Sequence, residues 1–266
     1  MRRMSHAAAP ALLALALLPA PAAAQSDSSA ASGLSLYAET RLVTRFIWRG
    51  YDDASKSPSI QPYVELTLPL GFTAYAWATS GLDRHHDLDE ADLSLSYAQD
   101  FGRWEIGAGY LHYIIPGTWT EPGPDPLNPL ASTSTGEWFA SLAYKWEQTT
   151  ATLKYSRGNR AMRGNSVELK LEGDYAVADE AWQFQPYLAL NYLDEYAEGA
   201  EPGFENRFSL VEVGVPVLRR VGPVKLIVGA HASFIPSPWV RALNAEAGAT
   251  SNVIIPWFTL GLAYEP

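Results

Sequence analysis

The stretch Val167-Glu168-Leu169-Lys170-Leu171-Glu172 decides the fold. Apolar and charged residues alternate in it without a break. Successive side chains of a β-strand point to opposite faces, so this segment has one greasy face and one fully charged face. A soluble core strand rarely needs three charges in a row on its second face. A strand with lipid on one side and a polar lumen on the other does.

The pattern recurs outward in both directions. Trp138, Ala140, Leu142, Tyr144 and Trp146 alternate with Glu137, Ser141 and Lys145. Leu93, Leu95 and Tyr97 alternate with Asp92, Ser94 and Ser96. Ile60, Val64, Leu66 and Leu68 alternate with Gln61, Glu65 and Thr67. Phe258, Leu260, Leu262 and Tyr264 close the chain against Thr259, Gly261 and Ala263. Strict alternation predicts strands at 34–48, 59–70, 72–80, 91–100, 103–114, 136–147, 149–157, 165–176, 182–192, 207–217, 223–233 and 252–264. In the tenth, apolar residues change face between Leu210 and Val211, which predicts a bulge.

The connections alternate in length. Those at 49–58, 81–90, 115–135, 158–164, 193–206 and 234–251 are long. Those at Gly71, Phe101-Gly102, Gln148, 177–181 and 218–222 are short. Short turns at one end and long loops at the other, with an even strand number, describe an antiparallel transmembrane β-barrel of about twelve strands. The expectation is an all-β chain with both termini periplasmic. Trp48, Trp77, Trp104, Trp138, Trp146, Trp182, Tyr192 and Trp257 fall near strand ends, as interfacial girdles require.

The N-terminus fits export. Arg2 and Arg3 precede an apolar run at Ala7–Leu18, and Ala22 and Ala24 suit signal-peptidase cleavage. That run is too short to span a bilayer as a helix. The expected organisation is a signal peptide at 1–24, a short periplasmic segment at 25–33 and the barrel at 34–266. Cleavage leaves 242 of 266 residues, with 17 basic and 29 acidic side chains and a net charge of −12. That balance excludes a nucleic-acid partner. The chain has no cysteine, which excludes disulfides, lipidation at a leader cysteine and thiolate metal sites.

Several stretches resemble a known family. They are Trp48-Arg49-Gly50 with Pro58 and Gln61, the acidic run Asp89-Glu90-Ala91-Asp92 entering Leu93–Tyr97, and Gly107–Gly117 with its glycines, tyrosines and proline turn. Together with Glu137–Ser156 they resemble the TorF-type porin family of Gram-negative outer membranes. The likeness is clearest over 34–156. Tyr51-Asp52 follows Arg-Gly where that family has Ser-Gln, and the chain ends Tyr264-Glu265-Pro266 rather than on an aromatic residue. The resemblance implies a fold and a location, not a substrate.

The function expected is a porin-like channel for small polar solutes or ions. Its pore-lining residues are Glu39, Arg41, Arg45, Arg49, Glu65, Asp92, Glu105, Glu137, Lys145, Lys154, Glu168, Lys170, Glu172, Glu212 and Lys225. Near-equal numbers of cations and anions allow pairing across the lumen. Arg41, Arg45 and Arg49, four residues apart, form a positive ladder on the first strand. The proline-rich 115–135 loop is a candidate constriction. The expected partners are outer-membrane lipids, lipopolysaccharide and the barrel-assembly machinery. Arg157, Arg160 and Arg163 suit phosphate recognition, or stand as a solvated loop. An alternative is a plugged structural or adhesion barrel acting through its loops. A third reading is a rim hydrolase, in which His231 and Ser233 share a face with Asn252 as orienter. His85, His86, Asp87, Asp89 and Glu90 read as a solvated acidic loop, not a metal site. No cofactor motif is present.

Overall fold

The computed structural model describes residues 33–53, 57–82, 90–114, 134–159, 162–177, 181–198, 207–246 and 248–266. The leader region and most of the 115–135 loop, like His85, His86, Asp87 and Asp89, lie outside them.

Twelve antiparallel strands form a closed barrel. They are β1 (Ser35–Val43), β2 (Ser59–Thr67), β3 (Phe72–Gly81), β4 (Glu90–Phe101), β5 (Trp104–Ile114) and β6 (Ser134–Trp146). Then follow β7 (Thr149–Asn159), β8 (Met162–Gly173), β9 (Tyr187–Glu198), β10 (Arg207–Val221), β11 (Val224–Phe234) and β12 (Ile254–Tyr264). Each strand pairs with its neighbours in sequence, and β1 closes on β12 from Ala38↔Tyr264 to Val43↔Thr259. Closure removes the unpaired edge that an open sheet would expose. The start of β1 and the end of β12 lie at the short-turn end of the barrel.

The two faces separate as the alternation requires. Leu95 (55% exposed), Ile106 (53%), Val228 (57%) and Leu260 (59%) cover the outside, while Ser94, Glu137, Asn191 and Thr259 are buried within. Among the described residues no helix is long and apolar enough to cross a membrane; strands do the spanning.

Five local expectations change. β1 ends at Val43 instead of running to Trp48. Phe46–Trp48 and Tyr51–Asp53 form a separate two-stranded hairpin that leaves the wall. Its turn residues Arg49 (φ 51°) and Gly50 (φ 94°) both have positive φ, as a type I′ hairpin turn demands. The 234–251 connection holds a helix, α1 (Pro238–Glu246). Its N-terminus follows from Ser237, whose hydroxyl accepts a hydrogen bond from Val240 N at 3.3 Å, and from Pro238 at the first position.

The 165–176 and 182–192 segments are each interrupted. Tyr175–Val177 and Trp182–Phe184 form a short continuation of the β8–β9 hairpin, and Trp182–Phe184 pairs with β10. The break falls at Asp174 and at Gln185-Pro186, where proline cannot donate to the ladder. The β7–β8 connection is tight, since β7 runs to Asn159 and β8 starts at Met162. The β10 bulge is present one residue early: Asn191 pairs with Leu210 and Tyr192 with Phe208, leaving Ser209 as the extra residue.

Candidate functional site: the barrel interior

The interior has two levels. At the long-loop end, the 46–53 hairpin and α1 fold into the barrel and meet. Ile47 from the hairpin and Val240 from α1 pack with Leu210, Ile235 and Ile255 of the β10–β12 side. Trp48 and Tyr51 reach across to Leu111 and Tyr113 of β5 and also touch Leu193 of β9. The plug therefore spans the lumen.

Polar contacts fix it. Arg49 donates two hydrogen bonds of 2.8 Å to Glu137, 88 positions away, and Glu137 is 0% exposed. The guanidinium also lies 4.6 Å from the centre of the Trp48 ring. Asn244 of α1 clasps the hairpin: its Nδ2 donates to Gly50 O at 3.0 Å, and Asp52 N donates to its Oδ1 at 3.1 Å. Asp52 Oδ2 accepts from Arg45 and from Thr250 N, both at 3.2 Å.

These contacts replace the ladder expected of Arg41, Arg45 and Arg49. Only Arg41 lies on the wall. Arg45 and Arg49 belong to the plug because the chain turns inward after Val43.

Below the plug, β9–β12 carry a hydrogen-bond network. Tyr187 donates to Glu212 at 2.6 Å, and Ser233 donates to the other Glu212 oxygen at 2.7 Å. His231 Nδ1 is 2.9 Å from the Tyr187 hydroxyl, and its Nε2 is 3.1 Å from the Thr259 hydroxyl. Tyr187 spends its proton on Glu212, so the His231 Nδ1–H donates to the Tyr187 oxygen. Trp257 stacks on His231 at 3.8 Å and donates to Ser233 at 3.1 Å. His231 and Ser233 thus have other partners and do not bond to each other. Asn252 lies exposed outside β12, and its backbone N–H donates to Thr250. The base–nucleophile pair that the hydrolase reading needs is not assembled.

Toward the short-turn end lies a cavity of about 500 Å³. Its wall comes from three adjacent strands, with Tyr37, Glu39 and Arg41 on β1, Gln61, Tyr63 and Glu65 on β2, and Trp77 on β3. These are cross-strand neighbours: Tyr37↔Glu65, Glu39↔Tyr63, Arg41↔Gln61 and Tyr63↔Trp77. Tyr37 donates to Glu39, Tyr63 donates to Glu65, and Arg41 is ion-paired with Glu39.

The remaining charges named from sequence form smaller groups. Lys145 bridges Asp100 at 2.8 Å and Glu105 at 2.6 Å near the short turns. Lys170 pairs with Glu172 at 2.6 Å, and Lys154 sits 4.5 Å above the Phe139 ring. Glu168 faces inward opposite Lys154 in register, and Asp92 and Glu90 are buried. Lys225 and Arg220 bind Glu265 beyond the end of β12. The hydrogen bond from Lys225, helped by the positive charges of Lys225 and Arg220, holds the Glu265 carboxyl below the usual carboxylate range. Arg157 donates to Asn165 at 2.9 Å, and Arg160 lies outside the described residues. Among the described residues no group of metal-ligating side chains gathers.

The tryptophans divide. Trp104, Trp138, Trp146 and Trp182 are exposed on the outside. Trp48, Trp77 and Trp257 turn inward, packing on Tyr113, Phe46 and His231. Sequence reading therefore missed Tyr37, Gln61, Tyr63 and Trp77 as cavity residues, and Asn244 as the clasp. Trp77 could have been found from its inward parity with Tyr75 on β3.

Solved structures share this architecture at low identity. NanC porin aligns with a TM-score of 0.55 at 8% identity, covering 86% of this chain and 100% of that one. KdgM porin gives 0.53 at 10% identity, covering 86% and 98%. The COG4313 outer membrane channel from Pseudomonas putida F1 gives 0.53 at 11% identity, covering 87% and 95%. Such identities establish the barrel fold alone. No curated protein matches the sequence. Residues 27–188, more than half of the chain, match a described bacterial family, and the chain belongs to it: bacterial protein of unknown function (Gcw_chp).

Proposed function

We propose that this chain is a narrow porin-like channel of the Gram-negative outer membrane, passing small polar solutes or ions by diffusion. In this reading residues 1–24 are removed on export and 25–33 lie in the periplasm. The barrel-assembly machinery inserts the rest among outer-membrane lipids and lipopolysaccharide. The TorF-type resemblance and the porin-like fold support it. The carrying observation is the inside-out barrel: an apolar outer face around a polar lumen with a cavity of about 500 Å³. The charges named above line the path, with Arg45 and Arg49 at its plugged end. The plug is made of loop segments held to the wall by side-chain packing, hydrogen bonds and an ion pair, not by the strand ladder, so it can move without opening the barrel.

The second reading is a closed structural or adhesion barrel. It is favoured by the apolar clusters and the Arg49–Glu137 pair that cross the lumen. Single-channel recording in planar bilayers separates the two. A channel gives small discrete openings, and Asn244→Ala, which removes the clasp between α1 and the hairpin, raises their frequency. Silence from both the wild type and this variant, with assembled barrel verified on unboiled gels, refutes the channel.

A further inference from the structure

We propose that the cavity below the plug binds a neutral sugar ring. The proposal deepens the channel reading by naming a solute class, and its test does not require current.

The volume, about 500 Å³, falls within the roughly 300–1,000 Å³ typical of small-molecule sites. The wall combines aromatic rings with a few polar groups, the usual make-up of such sites. Trp77, Tyr63 and Tyr37 supply rings. Tyr63 packs against Tyr37 at 6.0 Å and Tyr75 at 5.4 Å, so the platform is braced from both sides.

The polar groups select the solute. Glu39 and Arg41 form a mutual pair and leave little net charge. Glu65 has the Tyr63 hydroxyl as its hydrogen-bond partner. An anionic solute would face that carboxylate uncompensated. Gln61 is 8% exposed, and its Nε2 finds no hydrogen-bond partner among the described residues. A buried donor without a partner is costly and seeks an acceptor. The terminal torsion of a glutamine is soft and roughly two-fold, so rotation about it can turn one amide atom or the other toward a guest. A simple organic cation would satisfy Glu65 and the rings but bring at most one acceptor for Gln61 and Arg41 together. A sugar hydroxyl both donates and accepts. One pyranose ring can therefore donate to Glu65, accept from Gln61 and Arg41, and lay its C–H face on an aromatic ring. Neutral sugars meet all of these demands together.

The full chain in detergent, its assembly checked on unboiled gels, is titrated with glucose, maltose, glucuronate and choline. Binding is read by saturation-transfer NMR and tryptophan fluorescence. Glucose or maltose is expected to bind saturably and to outcompete glucuronate and choline. Gln61→Leu is expected to weaken the neutral sugar about tenfold, and Trp77→Phe, which trims the platform, should weaken it too. If Gln61→Leu does not assemble, Trp77→Phe decides alone. The proposal is overturned if neither neutral sugar binds, if glucuronate or choline binds more tightly, or if the assembled variants bind as the wild type does. A barrel that binds glucose without conducting refutes the channel and keeps the site. A conducting barrel indifferent to both neutral sugars does the reverse.

Discussion

Removing one partner of the Arg49–Glu137 pair is the sharpest probe of the plug. Glu137 is 0% exposed and Arg49 9%, and the pair shares two hydrogen bonds of 2.8 Å. Arg49→Ala strips the counter-ion from a carboxylate that water does not reach. Breaking a buried pair in this way costs about 3–5 kcal/mol. Loss of the guanidinium over Trp48 adds on the order of 0.5–2 kcal/mol. Arginine and alanine both carry a Cβ at this positive-φ position, so the backbone cost is similar in the two chains and cancels. Arg49→Met with Glu137→Leu removes both charges and restores apolar contact. It should recover most of the loss, because replacing a whole buried pair is often neutral. The assay is reversible urea unfolding of the full chain in phospholipid vesicles, followed by gel mobility and tryptophan fluorescence. A loss below about 1 kcal/mol for Arg49→Ala, the range of solvated surface pairs, would refute the reasoning. It would mean that water fills this level of the barrel.

Leu169→Arg places a charge on the outer face at mid-strand and should cost roughly 2–4 kcal/mol in a bilayer, whereas Lys170→Leu on the inner face should be better tolerated; equal losses would invert the face assignment. Gly50→Ala brings a Cβ to 2.4 Å from Ser209 O at φ 94° and should cost about 1–3 kcal/mol of urea stability, while Gly222→Ala, with nothing within 4 Å, should cost less. In the otherwise cysteine-free chain, Ser251→Cys should react with an impermeant maleimide on intact cells and Arg103→Cys should not; the opposite result reverses the proposed orientation.

Much of the barrel is legible in its alternation, because lipid and lumen impose opposite demands on neighbouring residues. Val167–Glu172 and Leu93–Tyr97 read directly as two-faced strands. The same signal hides where a strand stops. Phe46 and Trp48 continue the apolar parity of β1, yet they bury against the plug rather than lipid, and parity cannot tell the two apolar surroundings apart. The Arg49-Gly50 pair, suited to a turn with two positive φ angles, marks the reversal. Ser237-Pro238 likewise marks the start of α1, although nine residues of helix inside a long connection give little periodicity to read. That buried charges must pair was foreseeable. That Arg49 finds Glu137 was not, because the match depends on how deeply the hairpin enters the barrel. Trp77 and Trp257 share composition with girdle tryptophans and differ only in parity along their strands.

The plug's two halves flank the closing strands: the hairpin directly follows β1, and α1 precedes β12. The ladder between β1 and β12 is six residue pairs long, while that between β11 and β12 is eleven. The seam is thus a short zipper, and the clasp from Asn244 to Gly50 and Asp52 joins positions 194 and 192 residues apart only once its ends have met. Such contacts carry a large chain-entropy cost and form late. The clasp therefore works as a latch that records completed closure. In hydrogen exchange during refolding, the amide of Asp52 should become protected after the wall hairpins of β4–β8.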